Sequence, residues 1–349
     1  MRGWRILADD LTGALDTAAA FSGSGDLPVS LLPRLVHGDA PVQALATGTR
    51  DVAPQAMADA LQACLPWFTA PGHFAFKKVD SLLRGNSFAE VAWLLRHGGF
   101  DGAVFAPGFP AQGRVTSRGQ HWVTGAESAA LAVPDAFSAL GIEARLGSDV
   151  DGLPAGGVLV PDVTCDADLA ALAQLAPTEA ATSRRWLWCG SAGLAWALAR
   201  QARRAPLAAG HTSPGLTHVV TASRHPVLRG QLGALQEAGV RCADLASQEA
   251  LAADVAASLL RQRTRRLVAD LPRPDNLVVV GGDTLLALCH AAGVQSLRAR
   301  AGPRGGWGAA LLQGGVWHGV TCYSRSGAFG APDDLSALLA TLTQKEHTP

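Results

Sequence analysis

Short apolar runs alternate with segments of helical period along the first half of the chain, and a polar or glycine-bearing turn joins each run to the segment after it. The clearest runs are WRILA, QALAT, FAFKKV, GAVFAP and WLWCG, which begin at residues 4, 43, 74, 102 and 186. Apolar runs of this length between helical segments are typical of buried strands. Strands that alternate with helices predict a largely parallel sheet flanked by helices, and therefore an α/β fold.

The same pattern returns after a break in composition at residues 206–215, PLAAGHTSPG, which is the best candidate for a linker. THVVTAS and NLVVVGGDT then each precede a helical segment, residues 301–330 are glycine-rich and expected to be irregular, and DDLSALLATL predicts a last helix. A chain of 349 residues is long enough for two hydrophobic cores. We therefore expect two α/β domains, residues 1–205 and 218–349, joined by a linker at residues 206–217.

The charge balance excludes some classes of partner. Lys plus Arg and Asp plus Glu both number 29, so the net charge is zero, whereas nucleic acids and anionic membranes call for a basic face. The six cysteines are scattered without a C-x-x-C motif, and Asp9 and Asp10 come too soon for the apolar core of a signal peptide. Because no apolar run is long enough to span a membrane, we expect a cytoplasmic protein with reduced thiols.

Polar residues at strand-to-helix turns are the candidates for a binding site, because ligands of open α/β sheets lie at the carboxyl ends of the strands. The turns after WRILA and FAFKKV carry most of the charge. The candidates are Asp9, Asp10, Thr12, Thr49, Arg50, Asp80, Arg84, Asn86, Arg114, Ser191, Ser223 and residues 281–284.

The stretch FKKVDSLLRGN is unusual because it holds two of the three lysines of a chain that otherwise uses arginine. Side chains alternate along a strand, so Lys78 and Asp80 should share a face and Lys77 should point to the other. A compact ammonium would fit between carboxylates where a guanidinium fork would be too wide. Lys78 is therefore the lysine expected at the site, and Lys77 is expected to be structural.

A helix should begin directly after this stretch, since Ser87 and Glu90 have the spacing of a capping box. Arg84 and Asn86 would then lie just before a helix N-terminus, where free N–H groups and the helix dipole favour an anion. An arginine fork at that position suits a carboxylate or a phosphate. The alternative is that Arg84 merely pairs with Asp80.

In ADDLTGA, Asp9 and Asp10 are adjacent carboxylates at the end of a strand. Two negative charges so close repel each other unless a metal, a cation or a ligand lies between them. The alternative is that one carboxylate caps the following helix while the other lies in water. An aspartyl-phosphatase site would need D-x-D-x-T, and D-D-L-T-G does not match that spacing.

GGDT, residues 281–284, follows an apolar run and could hold phosphates through its backbone N–H groups. The turn SRSGAFG around Gly327 is also flexible and bears hydroxyls. No glycine precedes a lysine, so a P-loop is absent, and no G-x-G-x-x-G follows the first strand. The residues alone thus indicate a small hydroxylated acid in the first half and a nucleotide in the second.

Six motifs occur in the order ADDLTGALDTA, KKVDSLLRGN, APGFPAQGRVTSRGQHWVTG, GSAGLA, GGDT and SGAFG. Together they resemble the four-carbon acid sugar kinases over about residues 5–338. The resemblance implies an N-terminal domain for a sugar acid such as threonate, erythronate or 3-oxo-tetronate, a C-terminal domain for ATP, and phosphoryl transfer to the terminal hydroxyl in the cleft between them.

The resemblance also implies site residues by position. Those of the sugar-acid site are Asp9, Asp10, Arg50, Lys78, Asp80 and Arg84, to which we add Asn86. Those of the nucleotide site are Ser223, Gly281, Gly282, Asp283, Thr284 and Gly327. The chain departs from the family pattern in the turn around Ser223, at Leu82 in place of a threonine, and at Arg325 in place of a lysine.

Phosphoryl transfer needs an aligned hydroxyl, neutralised phosphate oxygens and Mg²⁺. Arg84, with Lys78 or Arg50, is expected to hold the substrate carboxylate, and Asp10 or Asp80 to orient or deprotonate the hydroxyl. The expected ligands are the sugar acid, ATP and Mg²⁺, whose protein ligands are unknown, and a homodimer is one possible assembly.

Two rival functions remain open. The altered turn VVTASRHPV and a C-terminal half shorter than in family members motivate a non-catalytic sugar-acid-binding protein with a degenerate nucleotide site. A nicotinamide-dependent sugar-acid dehydrogenase would need a dinucleotide fingerprint, which the sequence lacks.

Overall fold

The structure, a computed structural model, describes residues 3–23, 25–32, 34–35, 38–125, 130–149, 155–176, 184–206, 208, 210, 212–237, 242–249, 251–303, 306–327 and 330–343. Strands and helices alternate through most of this length. The strands of the first half are β1 (Gly3–Ala8), β2 (Leu27–Leu31), β3 (Val42–Ala46), β4 (His73–Lys78), β5 (Gly102–Ala106), β6 (Arg114–Ser117), β7 (Gln120–Val123), β8 (Leu131–Ala132), β9 (Ala144–Leu146), β10 (Gly157–Val160) and β11 (Trp186–Gly190). Its helices are α1 (Leu11–Ala20), α2 (Pro54–Phe68), α3 (Ser87–His97), α4 (Val133–Ser138), α5 (Asp166–Ala173) and α6 (Ala192–Gln201).

The second half continues the alternation. Its strands are β12 (Thr217–Thr221), β13 (Cys242–Asp244), β14 (Asn276–Val280), β15 (Ser296–Arg300), β16 (Gly308–Gln313) and β17 (Thr321–Arg325). Its helices are α7 (Pro226–Glu237), α8 (Ala253–Asp270), α9 (Gly282–Ala291) and α10 (Asp334–Thr343). The last helix was predicted, but the expectation of an irregular segment at residues 301–330 was wrong, because β16 and β17 lie there.

Fourteen of the strands form one sheet in the order β13-β12-β14-β17-β16-β15-β2-β3-β1-β4-β11-β5-β10-β9. All neighbours are parallel except at β15 and β16, which pair antiparallel with both of their neighbours. The predicted α/β class with a largely parallel sheet is therefore confirmed. Strands of the two halves meet where β2 pairs with β15, and the division into domains at residues 206–217 stays a prediction.

Helix α1 lies at the centre of the molecule. Its apolar residues are alanine and leucine, nine of its ten residues are buried, and it contacts strands β1 to β4 of the first half and β15 to β17 of the second. Because α1 touches both halves of the sheet, a side chain at its N-terminus can face loops from both.

A separate three-stranded sheet, β6-β7-β8, covers one side of the β4–α3 loop. The ring of His121 in β7 hydrogen-bonds through Nε2 to the carbonyl of Ser81 at 2.9 Å and through Nδ1 to Thr116 at 2.8 Å. All six cysteines are free thiols, four of them buried. Within the described part of the chain, no helix has both the length and the apolar character needed to cross a membrane.

Candidate functional site

Arg50 resolves the repulsion expected between Asp9 and Asp10. Its guanidinium donates to Asp9 through Nε at 2.7 Å and through Nη2 at 3.1 Å, and to Asp10 through Nη1 at 3.0 Å. The Asp9 side chain is only 1% exposed, so neither carboxylate simply lies in water. Asp10 is also the N-cap of α1, where its Oδ1 accepts from the N–H of Gly13 at 2.9 Å.

Asp80 and Arg84 form a two-pronged ion pair in the turn after β4. Arg84 donates through Nε at 2.7 Å and through Nη2 at 2.8 Å to the two oxygens of Asp80. The Asp80 side chain is 7% exposed, whereas that of Arg84 is 45% exposed. Arg84 therefore pairs with Asp80, as the structural alternative predicted, and its fork also remains open to solvent.

Lys77 and Lys78 point to opposite faces of the sheet, as strand alternation predicted. Lys78 lines the same small cavity as Asp10 and Asp80. Gly13 leaves space for it, since a Cβ built there would lie 3.2 Å from Lys78 Nζ. Lys77 lies on the other face, where it pairs with Glu90 of α3 at 2.7 Å.

The predicted capping box at the start of α3 is wrong, although the helix does begin at Ser87. The N-cap is Asn86, without a side-chain capping bond, and the Ser87 hydroxyl donates to the carbonyl of Arg84. Glu90 instead receives Lys77 and the hydroxyl of Thr49. A buried long-range ion pair has displaced the local cap.

Asn86 connects the β4–α3 turn to the turn after β3. Its amide nitrogen donates to the carbonyls of Thr49 at 2.8 Å and Val52 at 2.9 Å, and its backbone N–H donates to the carbonyl of Arg50. Gly85, at φ 62°, lies so close to the Arg50 backbone that a side chain there would collide with it. These contacts fix the position of Arg50.

The candidate nucleotide residues of the second half also come together. Gly281 has φ 117° and its built Cβ lies 3.2 Å from Thr284 Oγ1 and 3.8 Å from Ser223 Cβ. Thr284 Oγ1 accepts from the N–H of Ala222 at 3.1 Å, and Gly327 lies directly against the Ser223 hydroxyl. Three loops, after β12, β14 and β17, thus meet around Ser223.

Gly282 brings the loops around Ser223 close to the charged cluster around Asp10. A Cβ built on it would lie 2.5 Å from Asp10 Oδ2 and 3.2 Å from Thr12 Oγ1. Contacts between Cβ and other atoms this short are not tolerated, so only glycine allows the approach. The first turn of α9 thereby lies directly against the N-cap of α1.

Two cavities lie at this junction. The smaller, of about 30 Å³, is lined from the first half by Asp10, Thr12, Gly13, Asp16, Arg50, Lys78, Asp80 and Ser81, and from the second by Gly306, Ser324, Arg325 and Ser326. The larger, of about 670 Å³, is lined mainly by α1, α5, α6 and the segments around Phe109 and Trp307. Asp16 and Gly306 line both, so the larger space adjoins the charged cluster.

The smaller cavity is also lined by Asp16, Ser81, Ser324 and Ser326, which were not among the residues predicted for the site. Asp16 lies three residues after Gly13 and six after Asp10 on one helix. Residues three or four apart share a helix face, so the spacing contained the signal. Arg325, noted only as a departure from a family motif, is buried and pairs with Asp334 and Gln231.

The carboxylates around the smaller cavity differ in the direction in which the protein shifts their pKa. Burial raises the pKa of Asp9, but the charges of Arg50 and Lys77 outweigh it and hold the pKa below its ordinary value. Burial acts likewise on Asp80, where hydrogen bonds from Arg84 and the charge of Arg50 hold the pKa well below its usual range. For Asp16, burial and the charge of Asp10 raise the pKa to about 6 against the opposing charge of Lys78.

Among the described residues, no cluster of three or more His, Cys, Asp or Glu side chains is arranged to hold a metal ion. Mg²⁺, however, is commonly bound by one or two carboxylates together with substrate phosphates. Asp283 suits this mode because it lies in the first turn of α9. Desolvation of the Asp283 carboxyl, and then the negative charge of Asp10, raise its pKa. A cation bound there would offset the repulsion between the two carboxylates.

Known proteins resemble this chain in sequence and in fold. The family model described as the sugar-binding N-terminal domain matches residues 4–138. D-threonate kinase of Cupriavidus necator is 35% identical over 229 residues, which are 56% of this chain and 54% of that protein. D-threonate kinase of Bordetella bronchiseptica is 32% identical over 263 residues, 68% of this chain and 63% of that protein. These matches support the resemblance to the four-carbon acid sugar kinases.

The family resemblance drawn from the motifs is thus confirmed. The chain spans less than two thirds of the length of these two D-threonate kinases. Two solved structures have the same fold at 17% identity: a Haemophilus influenzae protein, with a TM-score of 0.66 over 94% of this chain and 97% of that one, and a Salmonella typhimurium protein, with a TM-score of 0.73 over 95% and 97%.

Proposed function

We propose that the protein is an ATP-dependent kinase that phosphorylates the terminal hydroxyl of a four-carbon sugar acid such as threonate, erythronate or 3-oxo-tetronate. The observation that carries the proposal is the contact between Gly282 and Asp10. It brings a glycine-rich helix start, suited to phosphate, against a cluster of arginine, lysine and carboxylate suited to a hydroxylated acid. The relationship to the two D-threonate kinases supports the same reaction.

On the acid side, Arg84 and Lys78 are the residues that would hold the substrate carboxylate. The Arg84 fork is the more exposed cation, and Lys78 lines the cleft. Arg50 is already shared between Asp9 and Asp10, so its role would be to balance the negative charge of the two carboxylates and to hold them in place. Asp10 and Asp80 would orient the hydroxyl groups of the acid, while Asn86 would hold the loop that carries Arg50.

On the nucleotide side, the backbone N–H group of Gly282 would bind phosphate, because the N-terminus of α9 is partly positive. The N–H group of Gly281 already donates to the carbonyl of Arg325 at 2.9 Å, so Gly281 would shape the turn. Thr284 and Ser223 hold the adjoining loops together, and Gly327 packs on Ser223 without a side chain. Asp283 would hold Mg²⁺ with the phosphates. The ion would supply charge neutralisation for the transferred group.

The test is a coupled ADP-release screen of the full chain with ATP and Mg²⁺ over D- and L-threonate, D- and L-erythronate and the 3-oxo acids, with the product identified by mass. We expect one of these acids to release ADP and to gain a phosphoryl group. Calorimetry distinguishes the kinase from the rival non-catalytic binding protein. Heat from binding of the acid, with none from ATP and Mg²⁺, would contradict the kinase function.

A further inference from the structure

Three carboxylates line the smaller cavity, those of Asp10, Asp16 and Asp80, and two of them already accept several hydrogen bonds. Asp10 accepts from Gly13 N–H, the Thr12 hydroxyl at 2.7 Å and the Arg50 guanidinium. A carboxylate offers about four lone-pair sites, so those of Asp10 are occupied. A proton would have to displace one of these donors before it could bind there.

The carboxylate oxygens of Asp80 also already accept several hydrogen bonds. Its Oδ2 accepts from Arg84 Nε at 2.7 Å and from the N–H groups of Arg84 at 3.2 Å and Leu82 at 3.3 Å, and its Oδ1 accepts from Arg84 Nη2 at 2.8 Å. The same contacts hold its pKa well below the usual range. A carboxylate with such a low pKa is a weak general base near neutral pH.

Asp16 differs from both. Among the described residues its carboxylate makes no hydrogen bond or salt bridge, and its side chain is half-buried. It lines the small cavity together with Lys78 and Asp80, and also the larger cavity beside it. It therefore borders both the place suited to the acid and the space from which a substrate of that size could enter.

We propose that Asp16 is the general base that accepts the proton of the substrate's terminal hydroxyl, an inference that rests on the proposed kinase function. The O–H bond of that hydroxyl breaks and its proton passes to a carboxylate oxygen of Asp16. The hydroxyl oxygen forms a bond to the γ-phosphorus of the nucleoside triphosphate. The bond from this phosphorus to the β–γ bridging oxygen breaks, and its electron pair leaves with the nucleoside diphosphate. Asp16 loses the proton to water as the product departs.

The surroundings of Asp16 suit this role. Burial and the charge of Asp10 raise its pKa to about 6, close to the value that lets a base be ionised yet accept a proton near neutral pH. Lys78 opposes the rise and keeps the carboxylate partly ionised. The other charged groups that line the two cavities around it are Arg50, Asp80, Arg325, Asp166 and Arg200.

The variants are Asp16→Asn, which keeps the shape of the side chain, and Asp16→Ala, which leaves space. Positioned general bases contribute about 10²- to 10⁴-fold. We therefore expect Asp16→Asn to lower kcat by about 10²-fold or more, with the KM for the acid within about threefold. Calorimetric affinity for the acid should be unchanged. The matched control is Asp166→Asn, an exposed carboxylate that lines only the larger cavity, and it should keep full activity.

Two readouts separate a base from a structural residue. In the wild type, log kcat/KM should rise with pH through an inflection near 6, and Asp16→Asn should lose this inflection. Formate, a small carboxylate, should restore part of the activity of Asp16→Ala and none of that of Asp16→Asn. A wild type that turns over an acid, with Asp16→Asn equally active, overturns the base assignment alone. A wild type that releases ADP with none of the acids overturns the kinase function and the base with it.

Discussion

Lys77 Nζ lies 2.7 Å from Glu90 Oε2, and neither side chain has any exposed surface. The ammonium also donates to the carbonyl of Lys78 at 2.8 Å, while Thr49 donates to the other Glu90 oxygen at 2.7 Å. Burial by itself lowers the pKa of Lys77, but the charges of Glu90 and Asp9 outweigh it and raise the pKa. The lysine therefore stays charged beneath the site, where a compact ammonium suits the space better than a planar fork.

Replacing Lys77 by Met should destabilise the fold strongly, because Glu90 would be left buried without its partner. Breaking a buried ion pair in this way costs about 3–5 kcal/mol, whereas replacing both members by apolar residues is often neutral. We expect Lys77→Met to lower the free energy of unfolding by about this amount, and Lys77→Met with Glu90→Leu to regain most of it. Urea unfolding of both variants gives the comparison. Equal losses in the single and the double variant would contradict this account.

Replacing Arg84 by Ala should affect binding of the acid more than stability. Hydrogen bonds to charged groups are worth about 1.5–3 kcal/mol, so KM for the acid should rise about 10- to 150-fold. Arg84→Lys keeps the charge but loses the fork, and it should recover only part of the affinity. The matched control is Arg300→Ala, which breaks a 2.7 Å pair with Asp26 outside both cavities. An unchanged KM with a lowered Tm would leave Arg84 as a partner of Asp80 only.

The sequence predicted those parts of the site that depend on local rules. Strand alternation separated Lys77 from Lys78, and the position of a residue at a strand end identified Asp9, Asp10 and Arg50. These rules work because the geometry of one strand and its following turn is independent of the rest of the chain.

What sequence analysis missed depends on long-range packing. The capping box at Ser87 failed because Glu90 has a stronger partner on β4. The strands in residues 301–330 were missed because glycines there resemble loop residues, although pairing with β14 and β15 makes them strands. Asp16 is the one acidic residue of α1. Its helical spacing from Gly13 places it on the face toward the site, but the cavities that it lines follow only from the packing of α1 against strands of both halves of the chain.

Replacing Gly282 by Ala should abolish phosphoryl transfer. The added Cβ would lie 2.5 Å from Asp10 Oδ2, so either Asp10 or the start of α9 has to move. We expect the loss mainly in kcat, since the two substrates would no longer be aligned. The matched control is Gly230→Ala on α7, where a Cβ meets nothing within 4 Å and alanine is the better helix former by about 1 kcal/mol. It should raise Tm slightly at full activity, and equal behaviour of the two variants would refute the contact.

The shifted carboxylates should make opposite contributions to stability as the pH falls. The pKa of Asp16 is raised to about 6 in the folded state, above about 3.9 for an unfolded chain, so the native state binds more protons and stability grows as pH falls from neutral toward about 5. The pKa values of Asp9 and Asp80 are lowered. Their stabilisation is complete above the unfolded value and is lost as pH falls through the lower folded values.

Denaturant unfolding at a series of pH values measures both contributions to the free energy of unfolding. Asp16→Asn should remove the gain between neutral pH and about 5 while keeping the acid loss. Arg84→Ala should shift the acid loss toward higher pH, because Asp80 loses the hydrogen bonds that hold its pKa down. Asp166→Asn serves as the control and should leave the gain in place. A gain that persists unchanged in Asp16→Asn would show that another group carries it.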